Sequence, residues 1–358
     1  MSLLLSPTTL GPLSLQNRMA MSPMTRSRAL GNVPNALMAT YYGQRASAGL
    51  IITEGVAPSP NGLGYARIPG LFSAEQVEGW KLSTAAAHAG GAKIIAQLMH
   101  TGRIGHTLNL PAGARLVAPS AVKAAGQMWT DQSQMQDHPV PEAMSAADLT
   151  STIQEFVTAS KNAVAAGFDG IELHSANGYL LEQFIRPNTN LRTDGYGGGI
   201  EGRARFVLEV VDAVSAAIGK DKVGIRLSPH GVFNDMPGYD AMEADYTYLA
   251  EQLGSRGILY VHVLDHSAGG APPVPDSIKA TFRRHLPKNL ILAGGYTAER
   301  AEADLAAGKA DVISFGVTFL ANPDLPARFK AGAPLNTPDF TALYTPDAKG
   351  YTDYPTLG

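Results

Sequence analysis

The chain has no cysteine among its 358 residues. This absence excludes disulfide bonds, thiolate metal sites, iron–sulfur clusters and a cysteine nucleophile. Charged residues are also sparse, at 16%, and the net charge of −3 includes no basic block. We therefore expect no metal, no nucleic-acid partner and no electrostatic contact with a membrane.

Long hydrophobic runs are missing too. None approaches the roughly 20 residues that a membrane-spanning helix needs. Residues 1–15 lack the basic start and the long apolar stretch of a secretory signal peptide. These absences predict a cytoplasmic protein with small-molecule partners, and we expect a monomer or a weak dimer.

The residues that are present favour one large core with many short turns, since 45% are hydrophobic and the chain has 38 Gly and 24 Pro. Eight short apolar runs are typical of parallel strands buried on both faces, and helix-like segments separate them. The runs are residues 19–22, 50–53, 93–98, 170–173, 223–227, 259–263, 290–293 and 311–315. Eight βα repeats predict an α/β protein with a (β/α)8 TIM barrel, a single domain over residues 1–358. A doubly wound sheet fits the count less well.

Two helix starts and one irregular segment stand out between these runs. Ser73 and Ser145 each begin a pattern that resembles a capping box, and Gly167 suits the end of the second helix. The stretch from Met99 to Pro141 does not fit the repeat. Because so long a loop in a compact domain is usually functional, we predict a lid-like insertion after strand three, over about residues 100–141.

A barrel of this kind places its active groups just after the strands, at the C-terminal face. Small or polar residues occur there along the chain: Thr25, Glu54, Gly55, Gln97, His174 and Arg226. Strands seven and eight end in Gly294, Gly295 and Gly316. Their bare backbone N–H groups suit a phosphate, although ordinary turns would also account for these glycines.

The segment from His174 to Tyr179 combines an imidazole, an amide and a phenol at the end of the fourth run. If the strand stops at His174 and the next four residues turn, His174 and Asn177 can converge on one oxygen, with Tyr179 near enough to deliver a proton. The alternative is a core histidine, an Asn-Gly turn and a packing tyrosine.

Residues 197–202 (GGGIEG) match the spacing of a dinucleotide-binding fingerprint. That fingerprint requires an apolar strand directly before it. Residues 190–196 are polar and loop-like instead. We interpret the match as accidental, in a loop that leads into a helix over residues 203–217.

The chain resembles the Old Yellow Enzyme family of FMN-dependent ene-reductases over nearly its whole length. The motifs that carry the resemblance are SPMTR (22–26), YY (41–42), QRA (44–46), ITEG (52–55), QLMH (97–100), HSANGY (174–179), RTD (192–194), YGG (196–198) and NPDL (322–325). Thr25 stands where a related subgroup has cysteine. The chain is thus similar to the classical subgroup, with N-ethylmaleimide, pentaerythritol tetranitrate and oxophytodienoate reductases.

The resemblance implies a non-covalently bound FMN with NADPH or NADH as reductant. Thr25 would hydrogen-bond the flavin O4, Gly55 and Gln97 would bind the polar edge of the ring, and Arg226 would lie near N1 and O2. Pro23 and Met24 would also contact the ring. The phosphate would lie against Gly294, Gly295, Gly316 and Val317.

The implied reaction is reduction of the activated C=C bond of an α,β-unsaturated carbonyl or nitro compound. His174 and Asn177 would hold the substrate oxygen, hydride would pass from flavin N5 to the β-carbon, and Tyr179 would protonate the α-carbon. Two hydrogen-bond donors that point at this oxygen stabilise it most in the transition state, where the oxygen becomes enolate-like. Tyr65, Met99 and Phe233 would line the substrate pocket.

Two positions depart from the family pattern. Val317 stands where an arginine usually pairs with the FMN phosphate. Charged hydrogen bonds contribute about 1.5–3 kcal/mol, so we expect FMN affinity to fall by one or two powers of ten. Met99 stands where some members have tryptophan, and its flexible side chain would change the shape of the pocket.

Two other functions fit parts of the sequence. A flavin-binding barrel with little turnover is suggested only by Val317, and the complete set of His174, Asn177 and Tyr179 argues against it. A flavin-free barrel lyase or isomerase leaves Gln97 and Arg226 with less obvious purposes.

Overall fold

A closed barrel of eight parallel strands forms the centre of the protein. The computed structural model describes residues 2–357; Met1 and Gly358, the two ends of the predicted domain, lie outside them. Each strand pairs with the next in the chain and the eighth pairs with the first. The strands are Met19–Met21 (β1), Leu50–Val56 (β2), Lys93–Leu98 (β3), Gly170–Ser175 (β4), Val223–Leu227 (β5), Tyr260–Leu264 (β6), Leu290–Ala293 (β7) and Val312–Phe315 (β8). The predicted TIM barrel is confirmed.

Helices alternate with these strands and bury one face against them. They are Ala36–Gln44 (α1), Ala74–Ala89 (α2), Ala146–Ala165 (α3), Leu180–Ile185 (α4), Ile200–Ile218 (α5), Met242–Arg256 (α6), Asp276–His285 (α7), Ala298–Ala306 (α8), Val317–Ala321 (α9) and Leu325–Ala331 (α10). Both predicted capping boxes are present, at Ser73 with Gln76 and at Ser145 with Asp148. In the described part of the chain, no helix is both long and apolar enough to cross a membrane.

Three strands run further than predicted: β6, which ends at Leu264, and the two strands β2 and β4. In β2, a register shift between Ile52 and Gly55 lets the strand keep pairing with β3 as far as Val56, so Gly55 lies within the strand and not after it. In β4, Ser175 still pairs with Leu227, so the turn begins one residue later than predicted. In β2 and in β4, the neighbouring strand determines where the strand ends. The sequence pattern of a single strand does not reveal that neighbour.

The glycine-rich match was correctly rejected. No strand precedes residues 197–199, which form a loop before α5. That helix starts at Ile200, three residues before the predicted position, with Gly199 as its N-cap.

The segment after β3 contains small strands of its own. Gln127–Thr130 and Gln134–Asp137 form an antiparallel hairpin, and Val117–Ala118 pairs with Glu142–Ala143. Met128 from the hairpin packs in one apolar cluster with residues of the cavity described below. Its action as a lid stays a prediction.

The barrel interior is apolar toward the amino ends of the strands and polar toward their carboxyl ends. The N-terminal hairpin Thr8–Leu10 and Leu13–Leu15 packs against the apolar part, in a cluster that includes Tyr260. Gly224 on β5 lies opposite Tyr260 on β6, and a Cβ at position 224 would overlap the tyrosine ring. The missing side chain therefore makes room for the ring.

We predict that Gly224→Ala lowers the free energy of unfolding by about 1–3 kcal/mol, because overpacking a filled core forces side chains out of place. Denaturant unfolding measures the effect. Gly238→Ala is the matched control, since a Cβ there meets nothing within 4 Å. Equal stability of both variants would contradict the prediction.

Candidate active site

A cavity of about 270 Å3 opens at the carboxyl ends of the strands. It brings together nearly all the residues that the sequence and the resemblance single out: Pro23, Met24, Thr25, Gly55, Tyr65, Gln97, Met99, His174, Asn177, Tyr179, Arg226, Phe233 and Val317. Three further lining residues were missed: Leu320, Leu343 and Tyr344. Gly294, Gly295 and Gly316 end β7 and β8 as predicted but are not among the residues that line this cavity.

Two of the missed residues, Leu343 and Tyr344, arrive on the C-terminal segment. Two buried arginines after β1 hold that segment through its backbone: Arg26 donates to the Gly350 carbonyl and Arg28 to those of Ala342 and Lys349. Backbone carbonyls accept these bonds whatever side chains they carry. The sequence of the segment therefore holds no signal that it returns to the barrel mouth.

His174 lies on β4 with its side chain buried, 3% exposed. Its Nδ1 accepts from the Ala176 N–H at 3.3 Å, so the ring proton is on Nε2. Burial and the nearby Arg226 lower the pKa of His174 well below 6.5. The imidazole is therefore neutral, with one N–H free to donate.

Asn177 has a left-handed backbone with φ of 59°, which asparagine tolerates better than most residues. Its N–H donates to Ser228 Oγ at 2.9 Å, and its carbonyl accepts from Asn234 Nδ2 at 2.7 Å. These two bonds hold the turn that carries the Asn177 amide back beside His174. The predicted convergence at one cavity is thus present, although the strand ends later than expected.

Tyr179 directly precedes α4 and packs edge-on against the His174 ring, with centroids 4.8 Å apart. Its hydroxyl lies 2.9 Å from that of Tyr65. Burial raises the pKa of Tyr179 to about 12, although the Tyr65 hydrogen bond offsets part of this. The phenol therefore keeps its proton at neutral pH.

A polar layer lies beneath these residues. Gln97 Nε2 donates to Glu172 Oε1 at 2.7 Å, and His262 Nδ1 lies 2.9 Å from Glu172 Oε2. Burial opposes ionisation of Glu172, but the hydrogen bonds from His262 and Gln97 and the charge of Arg226 outweigh it and lower the pKa of this carboxyl. Burial lowers the pKa of His262. An ionised Glu172 thus accepts hydrogen bonds from Gln97 and from a neutral His262.

Arg226 lies on β5 at the cavity and is only 5% exposed. Its guanidinium has no hydrogen-bond partner within residues 2–357. A buried cation without a hydrogen-bonding partner is costly. This orphaned group fits an electron-rich ligand bound in the cavity.

The predicted phosphate loops have the backbone that glycine permits. Gly294 has φ of 124° and a Cβ there would overlap the Asp265 carbonyl, while Gly295 has φ of 58°. Gly316 caps the short α9, whose first residue, Val317, is 45% exposed. Arg300 brings a guanidinium to the same turn, since its Nη1 donates to the Gly294 carbonyl at 3.0 Å.

A wider hollow of about 520 Å3 lies between α7 and α8 on the outside of the barrel. Its charged side chains pair largely with neighbouring groups, as Arg283 does with Asp311 and Lys309 with Asp304. It includes none of the residues that end the strands at the C-terminal face. The smaller cavity is therefore the candidate active site.

Comparison with known proteins identifies the family. The profile described as "NADH:flavin oxidoreductase / NADH oxidase family" matches residues 3–336. The chain belongs to this family. A probable flavin mononucleotide-dependent alkene reductase of Leishmania infantum is 40% identical over 98% of this chain and 97% of its own length. Rice 12-oxophytodienoate reductase 1 is 40% identical over 99% and 93%.

Solved structures agree. Morphinone reductase superposes with a TM-score of 0.95 at 43% identity, covering 99% of this chain and 96% of its own. The old yellow enzyme homologue of Zymomonas mobilis gives 0.93 at 40%, covering 99% of both chains. The resemblance to the Old Yellow Enzyme family is confirmed. The protein is an FMN-dependent oxidoreductase, and the predicted ene reduction is confirmed for the family.

The cavity fits FMN on its own geometry. The orphaned Arg226 suits the negative charge that a reduced flavin carries. Gln97 is held at its nitrogen by Glu172, which leaves its amide oxygen as an acceptor toward the cavity. Gly55, which lines the same cavity, makes room for the Met99 side chain, because a Cβ at position 55 would lie 2.5 Å from it.

We predict that Val317→Arg tightens FMN binding about tenfold or more, because a guanidinium beside the phosphate adds a charged hydrogen bond. Titration of the apoprotein, followed by flavin fluorescence, gives the dissociation constant. Riboflavin has no phosphate and is the matched control, with unchanged affinity expected. An FMN affinity that does not move would show that position 317 lies away from the phosphate.

Proposed function

We propose that this protein reduces the C=C bond of α,β-unsaturated carbonyl or nitro compounds in the cavity at the barrel mouth, with NADPH or NADH as reductant. The observation that carries the proposal is the convergence of His174, Asn177 and Tyr179 beside the orphaned Arg226. Relatives named as alkene and 12-oxophytodienoate reductases support the substrate class, and morphinone reductase bound to tetrahydroNAD supports a nicotinamide reductant.

His174 Nε2–H and the Asn177 amide N–H groups hold the substrate oxygen. Both donors are neutral, and neighbouring groups hold the His174 ring and the Asn177 backbone before substrate arrives. Negative charge grows on that oxygen as the alkene is reduced. The two hydrogen bonds therefore strengthen toward the transition state and lower its energy more than that of the bound substrate.

Tyr179 donates the proton to the α-carbon. Its pKa of about 12 keeps the phenol protonated until the carbanion-like centre forms. Tyr65 lies 2.9 Å away and stabilises the tyrosinate by donating a hydrogen bond to it, and solvent restores the proton of Tyr179 after the product leaves. Met99 and Phe233 shape the apolar part of the substrate pocket.

FMN supplies the hydride when it is bound. Thr25, Gly55, Gln97 and Arg226 would hold its ring, with Pro23 and Met24 beside them. Gly294, Gly295, Gly316 and Val317 would face its phosphate.

The sparse charge and the absence of cysteine support a cytoplasmic protein whose partners are small molecules, not nucleic acid or membrane. A monomer or a weak dimer is part of the same proposal.

We predict that anaerobic NADPH bleaches the FMN-loaded protein and that cyclohexenone restores its absorbance. Tyr179→Phe should slow the second step at least about tenfold, since general acid catalysis contributes roughly 10²–10⁴-fold, and leave the first step unchanged. Stopped-flow absorbance separates the two half-reactions. Equal losses in both would contradict a role in proton donation, and a chain that takes up no FMN would overturn the proposed function.

We also predict that the limiting rate of reoxidation by cyclohexenone is flat between about pH 6.5 and pH 10. The pKa of His174 lies well below this range and that of Tyr179, at about 12, lies above it, so neither group changes its proton count. The rate falls only as Tyr179 ionises, above pH 11 or so. A bell-shaped profile centred near neutral pH would assign proton transfer to another group.

A further inference from the structure

The Asn177 amide has two possible orientations, and only one serves the proposed reaction. With Nδ2 toward the cavity it donates to a substrate oxygen. With Oδ1 toward the cavity, the amide places a second acceptor opposite the substrate oxygen, and the two oxygens repel each other. The turn fixes the Asn177 backbone through Ser228 and Asn234, but neither bond touches the amide group. Another contact must choose the orientation.

His266 makes that contact. It lies in the loop after β6, and its Nε2 is 2.7 Å from Asn177 Oδ1. A carbonyl-type oxygen cannot donate, so at this distance the imidazole must carry its proton on Nε2. The pair occupies the amide oxygen of Asn177 and leaves its nitrogen, with two hydrogens, for the cavity.

The imidazole of His266 is itself held in place. The Phe233 ring lies nearly parallel to it, at 10° with centroids 6.3 Å apart. On another side the backbone of Gly231 lies so close that a Cβ there would come within 3.1 Å of His266 Cδ2. A confined ring aims its N–H better than a mobile one, so the orientation of Asn177 depends on packing as well as on the hydrogen bond.

We infer that His266 is a positioning residue, which fixes the Asn177 amide with its N–H groups toward the substrate oxygen. The inference rests on the proposed function, because it assigns His266 no role except through Asn177. It also names a determinant of specificity: the site selects substrates whose activating group accepts hydrogen bonds because His266 has already taken the acceptor of Asn177.

The test compares His266→Phe, which removes the donor but keeps a planar ring, with His266→Gln, whose Nε2–H group replaces it. Cyclohexanone is a ketone without a C=C bond that the enzyme could reduce. Its dissociation constant, read from the change that it causes in the flavin spectrum, therefore reports binding of the ketone oxygen without turnover. We expect His266→Phe to weaken cyclohexanone about tenfold, the usual effect of one hydrogen bond. His266→Gln should restore most of the affinity, and both variants should keep the wild-type melting temperature.

A double-mutant cycle with Asn177→Ala decides whether the effect passes through the amide. In that background His266→Phe should change the cyclohexanone affinity by less than about twofold, against about tenfold in the wild type. If Asn177→Ala alone leaves the affinity unchanged, the proposed oxygen-binding site is wrong. If Asn177→Ala weakens binding but His266→Phe does not, or if its effect persists without Asn177, only the inference about His266 is overturned.

Discussion

An ionised carboxylate buried inside the barrel is the constraint on which the site depends. Glu172 is fully buried and accepts hydrogen bonds from Gln97 and His262. Its charge also balances Arg226, whose own guanidinium has no hydrogen-bond partner in residues 2–357. Removing one partner of a buried charge costs far more than the pair contributes. Glu172 therefore fixes the Gln97 amide through a hydrogen bond and balances the charge of Arg226, although Glu172 itself does not line the cavity.

Strand geometry turns this constraint into a layered site. Residues two apart on a strand point the same way, so Glu172 and His174 both face the interior of the barrel, one above the other. The register of neighbouring strands places His174 beside Arg226, and Arg226 beside His262. Because of this stacking, Arg226 both suits a reduced flavin and lowers the pKa of His174. One cation thus serves the cofactor and keeps the substrate's donor neutral.

Local patterns predicted the parts of the molecule that local chemistry determines. Eight apolar runs gave the barrel, two Ser-x-x-Gln/Asp patterns gave helix starts, and the absence of a strand before residues 197–202 excluded a false motif. Local patterns did not predict the contacts between segments that are distant in the sequence. The end of β4 depends on its partner Leu227, Tyr344 reaches the cavity because Arg26 and Arg28 bind backbone carbonyls, and His266 stands in a loop without a motif. Family resemblance, more than spacing, identified Tyr65 and Phe233.

Because the hydrogen-bond donors of this active site are neutral, their effect depends mainly on the direction in which they point. A charged donor attracts an oxygen from many angles, whereas a neutral N–H or O–H must point at it. His174 and Asn177 each have their other polar atom held by a neighbour, His174 Nδ1 by the Ala176 N–H and Asn177 Oδ1 by His266, and the single hydroxyl of Tyr179 is held by Tyr65. None of these three neighbours needs to touch substrate oxygen to matter. Residues 174–179 supply the donors, and the strands and loops around them determine where these donors point.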